Sequence, residues 1–385
     1  MYGIILMKQK NKIPKDWQKL KIKKCLTICH GKSQHEVEDK NGKYPILGSG
    51  GIIGFANKYI YNKPSVLIGR KGTIDIPRYM DSPFWTVDTL FYSIVNKGFS
   101  AKFLYYLFNT INWYRYNEAS GVPSLSASTI MNIECIVPPI KEQEKIVEIL
   151  ELWDKAIETT KKLIEQKQLQ KKYLMQKLLT SKIRMKGFKD KWKKYNLGDI
   201  CDFISGFSFS SNDFCDKGIL LIKISNISNG KIVLSDEDVC LPIDYIYKYN
   251  QFVIKQYDLL IAMSGATTGK LAINTSDKKL LLNQRVGIIR ALKSNQNFIN
   301  QYLFAFKNKF LKMSYGGAQP NISSEDIKKI IIYIPQNLTE QKAIAEVLST
   351  ADKQIDLLKQ KLSNLELQKK GLMQKLLTGK IRVGR

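Results

Sequence analysis

The chain contains one of its own segments twice. Leu169–Arg184 (LQKKYLMQKLLTSKIR) returns as Leu367–Arg382 (LQKKGLMQKLLTGKIR), with only Tyr173/Gly371 and Ser181/Gly379 exchanged. The register holds upstream without a gap. Glu142-Gln143 matches Glu340-Gln341, Leu150 matches Leu348, Asp154-Lys155 matches Asp352-Lys353, and Ile157 matches Ile355. Local periodicity does not keep two stretches in step over so many positions. The repeat implies two copies of one structural unit and internal two-fold character. Two equivalent surfaces in one chain suit a target that also comes in two parts.

The hydrophobic spacing predicts a long amphipathic helix in each copy. In the second, one row is Ile344, Ala351, Leu358, Leu365, Leu372 and the other is Leu348, Ile355, Leu362, Lys369, Leu376. The first copy gives Ile146, Trp153, Thr160, Lys167, Leu174 and Leu150, Ile157, Ile164, Lys171, Leu178. Alternating steps of four and three make a heptad pattern. Thr160, Lys167 and Lys171 weaken the first copy, and the two lysines read as a partner-facing or solvated break. A helix of about 40 residues is roughly 60 Å long, more than a globular core usually encloses. Two unrelated surface helices would show the same rows. Near-identity favours mutual packing, because each helix then offers the other the same stripe. The simplest closure is an antiparallel coiled coil of 141–186 and 338–385, a rigid spacer with a globular domain at each end.

Those domains, 1–140 and 187–337, share a looser frame. Each opens on a tryptophan followed by basic and apolar residues, Trp17–Ile22 and Trp192–Leu197. Each has a β-rich run into a glycine-containing loop, Val66–Ile74 and Leu259–Lys270, and an aromatic helix-like stretch, Phe103–Phe108 and Tyr302–Phe306. Each closes alike, with Gly121-Val-Pro-Ser-Leu-Ser126 before Pro138 and Ala318-Gln-Pro-Asn-Ile-Ser323 before Pro335. Short β-branched runs punctuated by Gly and Asn, with one or two helices, predict mixed α/β domains. The helices are near copies while the domains share a frame and differ in content. Parts that must fit each other stay alike; parts that read different things drift apart.

Charge points to the class of target. Lys and Arg number 61 against 34 Asp and Glu, a formal charge of +27, and the usual neutralising partner of such a chain is nucleic acid. A solvated lysine-rich surface would give the same total. The distribution argues otherwise: no acidic residue lies between Lys167 and Lys189, and none follows Glu366. Six cysteines without a Cys-x-x-Cys pair or a preceding signal peptide predict free thiols in a reducing cytoplasm. The opening Tyr2–Met7 is apolar but too short for a signal peptide, its charges follow it, and Met7 is an alternative start. No run approaches membrane-spanning length.

Four motifs suggest chemistry and fall short of it. Ser264-Gly-Ala-Thr-Thr-Gly-Lys-Leu271 resembles a phosphate-binding loop, but Ser264 replaces the first glycine and Leu271 the Mg²⁺-binding hydroxyl. Its backbone N–H groups and Lys270 would still suit a DNA phosphate or groove. Gly48–Gly54 lacks a following helix and reads as turn glycines. Val137-Pro-Pro-Ile140 lacks the polar and aromatic residues of an amino-methyltransferase loop and reads as a rigid lead-in to the helix. Cys25, Cys29, His30 and His35 match no common zinc spacing, and two histidines in all provide poorly for acid–base catalysis.

Domain–helix–domain–helix, with Glu-Gln at each helix start and Leu-Leu-Thr-Ser/Gly-Lys-Ile-Arg at each end, resembles the specificity subunit of type I restriction-modification systems. The Trp openings, the loop 264–270 and Gln319-Pro-Asn-Ile-Ser323 share in the likeness. The first domain departs from it, with Arg70-Lys71-Gly72 in the loop and Val122-Pro-Ser-Leu125 for Gln-Pro-Asn-Ile. The resemblance implies a non-catalytic subunit whose domains are target recognition domains, each reading one half of a bipartite double-stranded DNA site. The helices would set the spacer and dock two modification (methyltransferase) subunits. S-adenosylmethionine, ATP and Mg²⁺ would belong to those subunits and to a restriction/translocase subunit, with no cofactor or metal in this chain. The expected DNA-binding residues are Arg70, Lys71 and Thr73 in the first domain, and Ser264, Thr267, Thr268, Lys270 and Gln319 in the second. The expected helix interface is Ile146, Leu150, Trp153, Ile157, Leu174 and Leu178 with Ile344, Leu348, Ile355, Leu362, Leu372 and Leu376. A basic helical scaffold without restriction partners and a fused methyltransferase-nuclease are the alternatives; the second would need catalytic motifs that the chain lacks.

Overall fold

A computed structural model describes residues 13–228, 230–265, 267–313 and 321–383. Two compact units result: Met1–Lys162 with Lys359–Arg385, and Leu163–Leu358. These divisions fall inside the two long helices, Ile140–Leu178 and Leu338–Leu376, not at their ends. Each unit therefore holds one α/β domain, the start of one helix and the end of the other.

In the first unit a four-stranded sheet runs Leu26–Cys29, Leu90–Val95, Ser65–Gly69, Arg78–Met80. Ser65–Gly69 is buried throughout, as an unbroken apolar run predicts for an inner strand. A three-stranded sheet (Gly51–Ala56, Tyr44–Gly48, Trp85–Thr86) and the pair Gln18–Lys21/Glu134–Val137 complete the strands. The glycines at 48–54 thus turn a hairpin, as read. The aromatic stretch is the helix Ala101–Phe108, capped by Ser100, whose hydroxyl accepts from Phe103 N at 3.2 Å. Ser100→Ala should cost about 1 kcal/mol, measurable as a small shift in the urea midpoint.

The second unit has a six-stranded sheet: Cys201–Ser205, Val286–Ala291, Leu259–Ala262, Leu271–Ile273, Gly230–Ile232, Ile227–Ser228. A four-stranded sheet (Cys240–Leu241, Ile219–Ile222, Leu280–Leu282, Val253–Ile254) lies beside it in sequence, and Lys193–Asn196 pairs with Ile331–Ile334. In the last strand Ile332 and Ile334 are buried while Ile331 and Tyr333 are exposed, the alternation of a one-sided strand.

The helix ends belong to the domain cores. Ile146, Leu150, Leu376 and Leu377 pack in one cluster with Trp17, Ile22 and Phe103. Leu178, Leu179, Ile344 and Leu348 pack with Trp192, Phe298 and Tyr302. Burial of each such side chain contributes about 1.5–3 kcal/mol. Along the predicted rows Ile157 and Ile355 are buried, and Trp153, Leu174, Leu362 and Leu372 are half-buried.

The polar seam positions are paired. In the first unit Asp154 accepts from Lys369 and, at 2.6 Å, from Tyr106 OH. In the second, Asp352 accepts from Lys171 at 2.5 Å and from Gln301 at 3.0 Å. Lys171 is therefore no solvated or partner-facing break; its ammonium is bound inside its own unit. Thr160 is buried, its hydroxyl donating to Ala156 O at 2.8 Å.

The Glu-Gln repeat also acquires a physical role. Glu142 accepts Arg382 Nε (2.7 Å) and Nη2 (2.8 Å) together with Trp17 Nε1 (3.0 Å). Glu340 accepts Arg184 Nε (2.8 Å) and Nη2 (2.9 Å) together with Trp192 Nε1 (3.4 Å). Gln143 joins Ser100 N to Pro138 O at 2.8 and 2.9 Å. Gln341 joins Asn295 N to Pro335 O, both at 2.7 Å. In each unit the glutamate fastens the returning helix end to the opening tryptophan. The glutamine fastens the domain's own helix cap to the proline lead-in.

Candidate nucleic-acid interface

The antiparallel registers decide which loops meet. In the first unit Cys29 faces Tyr92 and Gly69 faces Leu90. The loops after Cys29, after Gly69 and before Leu90 therefore leave one edge of the sheet. In the second, Ser205 faces Gly287, Ala262 faces Val286 and Ile261 faces Leu271. The loops after Ser205, between Ala262 and Leu271, and before Val286 likewise share an edge.

Backbone hydrogen bonds lock these loops into one frame in each unit. In the first, Lys32 N donates to Thr86 O (2.8 Å), Arg70 N to Thr89 O (2.8 Å) and Leu125 N to Arg70 O (2.9 Å). In the second, Phe207 N donates to Leu282 O (3.1 Å), Met263 N to Arg285 O (2.9 Å) and Ile322 N to Met263 O (2.9 Å). Isolated bridges Lys71↔Ser124 and Ser264↔Asn321 tie the glycine loop to the proline loop in each case. The expected reading loops are thus brought together within both domains. The matched positions carry different chemistry: Lys71 against Ser264, Ser124 against Asn321, Asp88 against Gln284, Thr89 against Arg285, Lys32 against Phe207.

Among the expected residues of the first domain, Lys71 is exposed, and Arg70 and Thr73 are half-buried. The Arg70 guanidinium leans on Asp88, 3.3 Å from its carbonyl and 3.9 Å from its carboxylate. That contact holds the cation at the loop surface. Gly69 is obligatory, because a Cβ there would stand 1.9 Å from Thr73 O.

In the second domain Lys270 is exposed and Ser264 half-buried. Thr268 is a correction. It is 6% exposed and its hydroxyl donates to Gly265 O at 2.6 Å, so it holds the turn and is not placed to meet a base. The Thr267 hydroxyl is buried and, among the described residues, unpaired; a base edge reaches it only if the loop opens. The phosphate cradle is corrected too. The N–H groups of Thr268, Gly269 and Lys270 donate to Gly265 O, Ala262 O and Thr267 O at 3.1, 2.8 and 3.0 Å. They are spent inside a hairpin loop, because Leu271 opens a strand where a phosphate-binding loop would open a helix. Among the described residues of this loop the Lys270 ammonium is exposed and the Ser264 side chain half-buried. Gln319 lies outside the described residues.

Sequence reasoning missed the turns before Leu90 and Val286 and the residues after Cys29 and Ser205. Lys32, Asp88, Phe207, Gln284 and Arg285 are all exposed there. The missed signal was the recurrence of a Gly one or two residues past a strand end, Gly31 after Cys29 and Gly206 after Ser205, each pressed on a backbone carbonyl where a Cβ would clash at about 2 Å (2.0 Å from Val87 O and 2.1 Å from Asn283 O).

Other chemistry is sparse. Among the described residues no group of three or more His, Cys, Asp or Glu could hold a metal ion. Cys25 is fully buried, with its sulfur 4.0 Å from that of Cys135. No helix of the described residues is long and apolar enough to cross a membrane.

Comparison with known proteins agrees with this geometry. The family described as the type I restriction modification DNA specificity domain matches residues 14–167 and 189–367. The type I restriction enzyme MjaVIII specificity subunit of Methanocaldococcus jannaschii is 29% identical, over 97% of this chain and 94% of its own. The MjaIX specificity subunit of the same organism is 24% identical over 97% and 95%. Among solved structures, the type I restriction-modification S subunit from M. genitalium superposes with a TM-score of 0.68 at 17% identity, covering 96% of this chain and 98% of that one. The double match to the family, over nearly the full length and on the two domains that carry the loop edges, establishes that this chain belongs to the type I restriction-modification DNA specificity family.

Proposed function

We propose that this chain is the DNA-reading, non-catalytic specificity subunit of a type I restriction-modification complex, each domain reading one half of a bipartite duplex site. The observation that carries this reading is the loop edge built twice on one hydrogen-bonded frame, with different side chains at matched positions, in a chain of net charge +27. Cationic and polar side chains on such loops reach phosphates and base edges. Family membership supports partners as well. Two modification subunits would dock on the helices and carry S-adenosylmethionine, and a restriction/translocase subunit would use ATP and Mg²⁺. A cytoplasmic location fits such a complex. The paired ion contacts within each unit support an antiparallel coiled coil with pseudo-two-fold symmetry that sets the gap between half-sites. The target recognition domains on this reading span 1–140 and 187–337, and the spacer helices 141–186 and 338–385.

The helical spacer is tested by inserting one heptad into both helices at matched positions. Seven residues lengthen the seam by roughly 10 Å at 1.5 Å per residue, about 3 base pairs. The methylation motif of cells carrying the altered subunit should keep both half-sites and widen its gap. New half-sites with the old gap would show that the helices read bases instead of measuring distance. Lys270→Ala should weaken DNA binding without changing the motif and lower the salt slope by about one, read from fluorescence anisotropy across a salt series.

A further inference from the structure

The turn before Val286 differs from its counterpart in the first domain in sign as well as identity. Where the first domain has Asp88-Thr89, the second has Gln284-Arg285. Asp88 is engaged with Arg70. Gln284 and Arg285 are exposed, and among the described residues neither side chain has a hydrogen-bond or ion-pair partner. A guanidinium and an amide left free on a loose loop would be an ordinary solvated surface. This turn is not loose. Val286 N donates to Asn283 O at 2.9 Å, Asn283 N to Ile222 O at 3.1 Å, and Arg285 N to Asn283 Oδ1 at 3.3 Å. The Arg285 carbonyl in turn accepts from Met263 N at 2.9 Å, which ties the turn to the strand end that leads into the glycine loop. Beside it stands an aromatic ring. Phe207 is 38% exposed, its N–H bonded to Leu282 O, and its ring centroid lies 5.0 Å from those of Phe209 and Tyr249 and 5.4 Å from that of Phe252. Three rings behind it make Phe207 a supported wall and not a mobile tip.

We propose that Arg285, with Gln284 and Phe207, determines the base sequence of the second half-site, and that Arg285 reads a guanine. The inference rests on the DNA-reading function proposed above and deepens it by naming the residues. The planar guanidinium matches guanine O6 and N7 with two parallel hydrogen bonds, the Gln284 amide suits adenine, and an exposed ring packs on a thymine methyl or a sugar. Affinity at such a position depends on a backbone already in place, because ordering a loose loop on binding would cancel much of the gain. The hydrogen-bonded turn supplies that order in advance. The first domain, with Asp88 and Thr89 in this place, cannot make the same contact and would read a different half-site.

The test is selection of duplexes from a randomised pool by the full-length chain, comparing wild type with Arg285→Ala and Arg285→Lys. Wild type should select a bipartite motif containing a guanine in one half. Arg285→Ala should lose the preference at that base, a roughly 10- to 100-fold loss of discrimination, with the other half-site unchanged. Arg285→Lys keeps the charge but not the two-pronged geometry. It should retain the salt dependence of binding and still lose the guanine. Because lysine preserves charge and length, it also answers whether the alanine variant fails merely by folding poorly. An unchanged motif in both variants, or a uniform loss across all positions, overturns the assignment of Arg285 while leaving DNA reading intact. No motif for the wild type overturns both readings.

Discussion

Glu142→Ala is expected to lower the melting temperature of the first unit by roughly 10 °C, far more than loss of a surface charge. Glu142 is 6% exposed and receives two bonds from Arg382 and one from Trp17, itself buried. Removing it leaves the indole N–H without an acceptor and the guanidinium with Asp16 alone, at 2.9 and 2.5 Å. Breaking one side of a buried ion pair costs about 3–5 kcal/mol, and a unit of this size loses about 2–4 °C per kcal/mol. Differential scanning calorimetry of the full chain measures it. The effect should depend on pH with a defined sign. Burial pushes the Glu142 carboxyl up, but the bonds from Arg382, Trp17 and Val383 N outweigh burial and hold it below the usual carboxylate range. A depressed carboxyl contributes stability above its unfolded value of about 4.3, and that contribution disappears as pH falls through the folded value. The gap between wild type and Glu142→Ala should be full at neutral pH and narrow as pH falls from about 5 through the folded value. A gap that stays constant across that range would place the effect in packing and not in the charge.

A chain ended after Lys186 is expected to pair with a second copy of itself. The first unit needs the segment Leu372–Arg382, whose Leu376 and Leu377 fill its core and whose Arg382 closes on Glu142. Without residues 187–385 that surface is uncovered. The shortened chain nevertheless carries the same residues at its own end: Leu178-Leu179 for Leu376-Leu377, Lys171 for Lys369 and Arg184 for Arg382. One copy's helix end can therefore occupy the site on the other, in both directions at once, which closes a two-fold dimer. Light scattering on a sizing column should give twice the monomer mass at micromolar concentration. Lys171→Glu should abolish the dimer by opposing Asp154, and adding Asp154→Lys should restore it. A monomer that is indifferent to these charges would sink the prediction. On DNA the dimer should select two identical, inverted half-sites.

The linear repeat alone established much of this molecule. Two near-identical stretches with heptad rows had to be two similar helices, because apolar spacing acts through helical geometry that depends only on local order. Ile146, Leu150, Ile344 and Leu348 are buried as their rows required. The inner strands Ser65–Gly69 and Leu259–Ala262 were legible as well, since each is a short apolar run leading into a glycine-containing loop. The family resemblance was legible for the same reason: it lay in the order and spacing of repeated motifs.

Tertiary structure decided what no spacing could carry. Arg382 meets Asp16 across 366 positions and Trp17 meets Glu142 across 125; a hydrogen bond between such distant residues leaves no local pattern. Lys171 looked like a weak point in a seam until the fold set Asp352 opposite it. The loop 264–270 looked like a row of free N–H groups until strand pairing on either side closed it into a hairpin that consumed them. Arg285 belongs to a turn with no glycine of its own before the strand, and Phe207 follows a single glycine, Gly206. Only the antiparallel register of the sheet sets them beside Ser264, because strand order in a sheet is chosen by long-range packing and not by neighbouring residues.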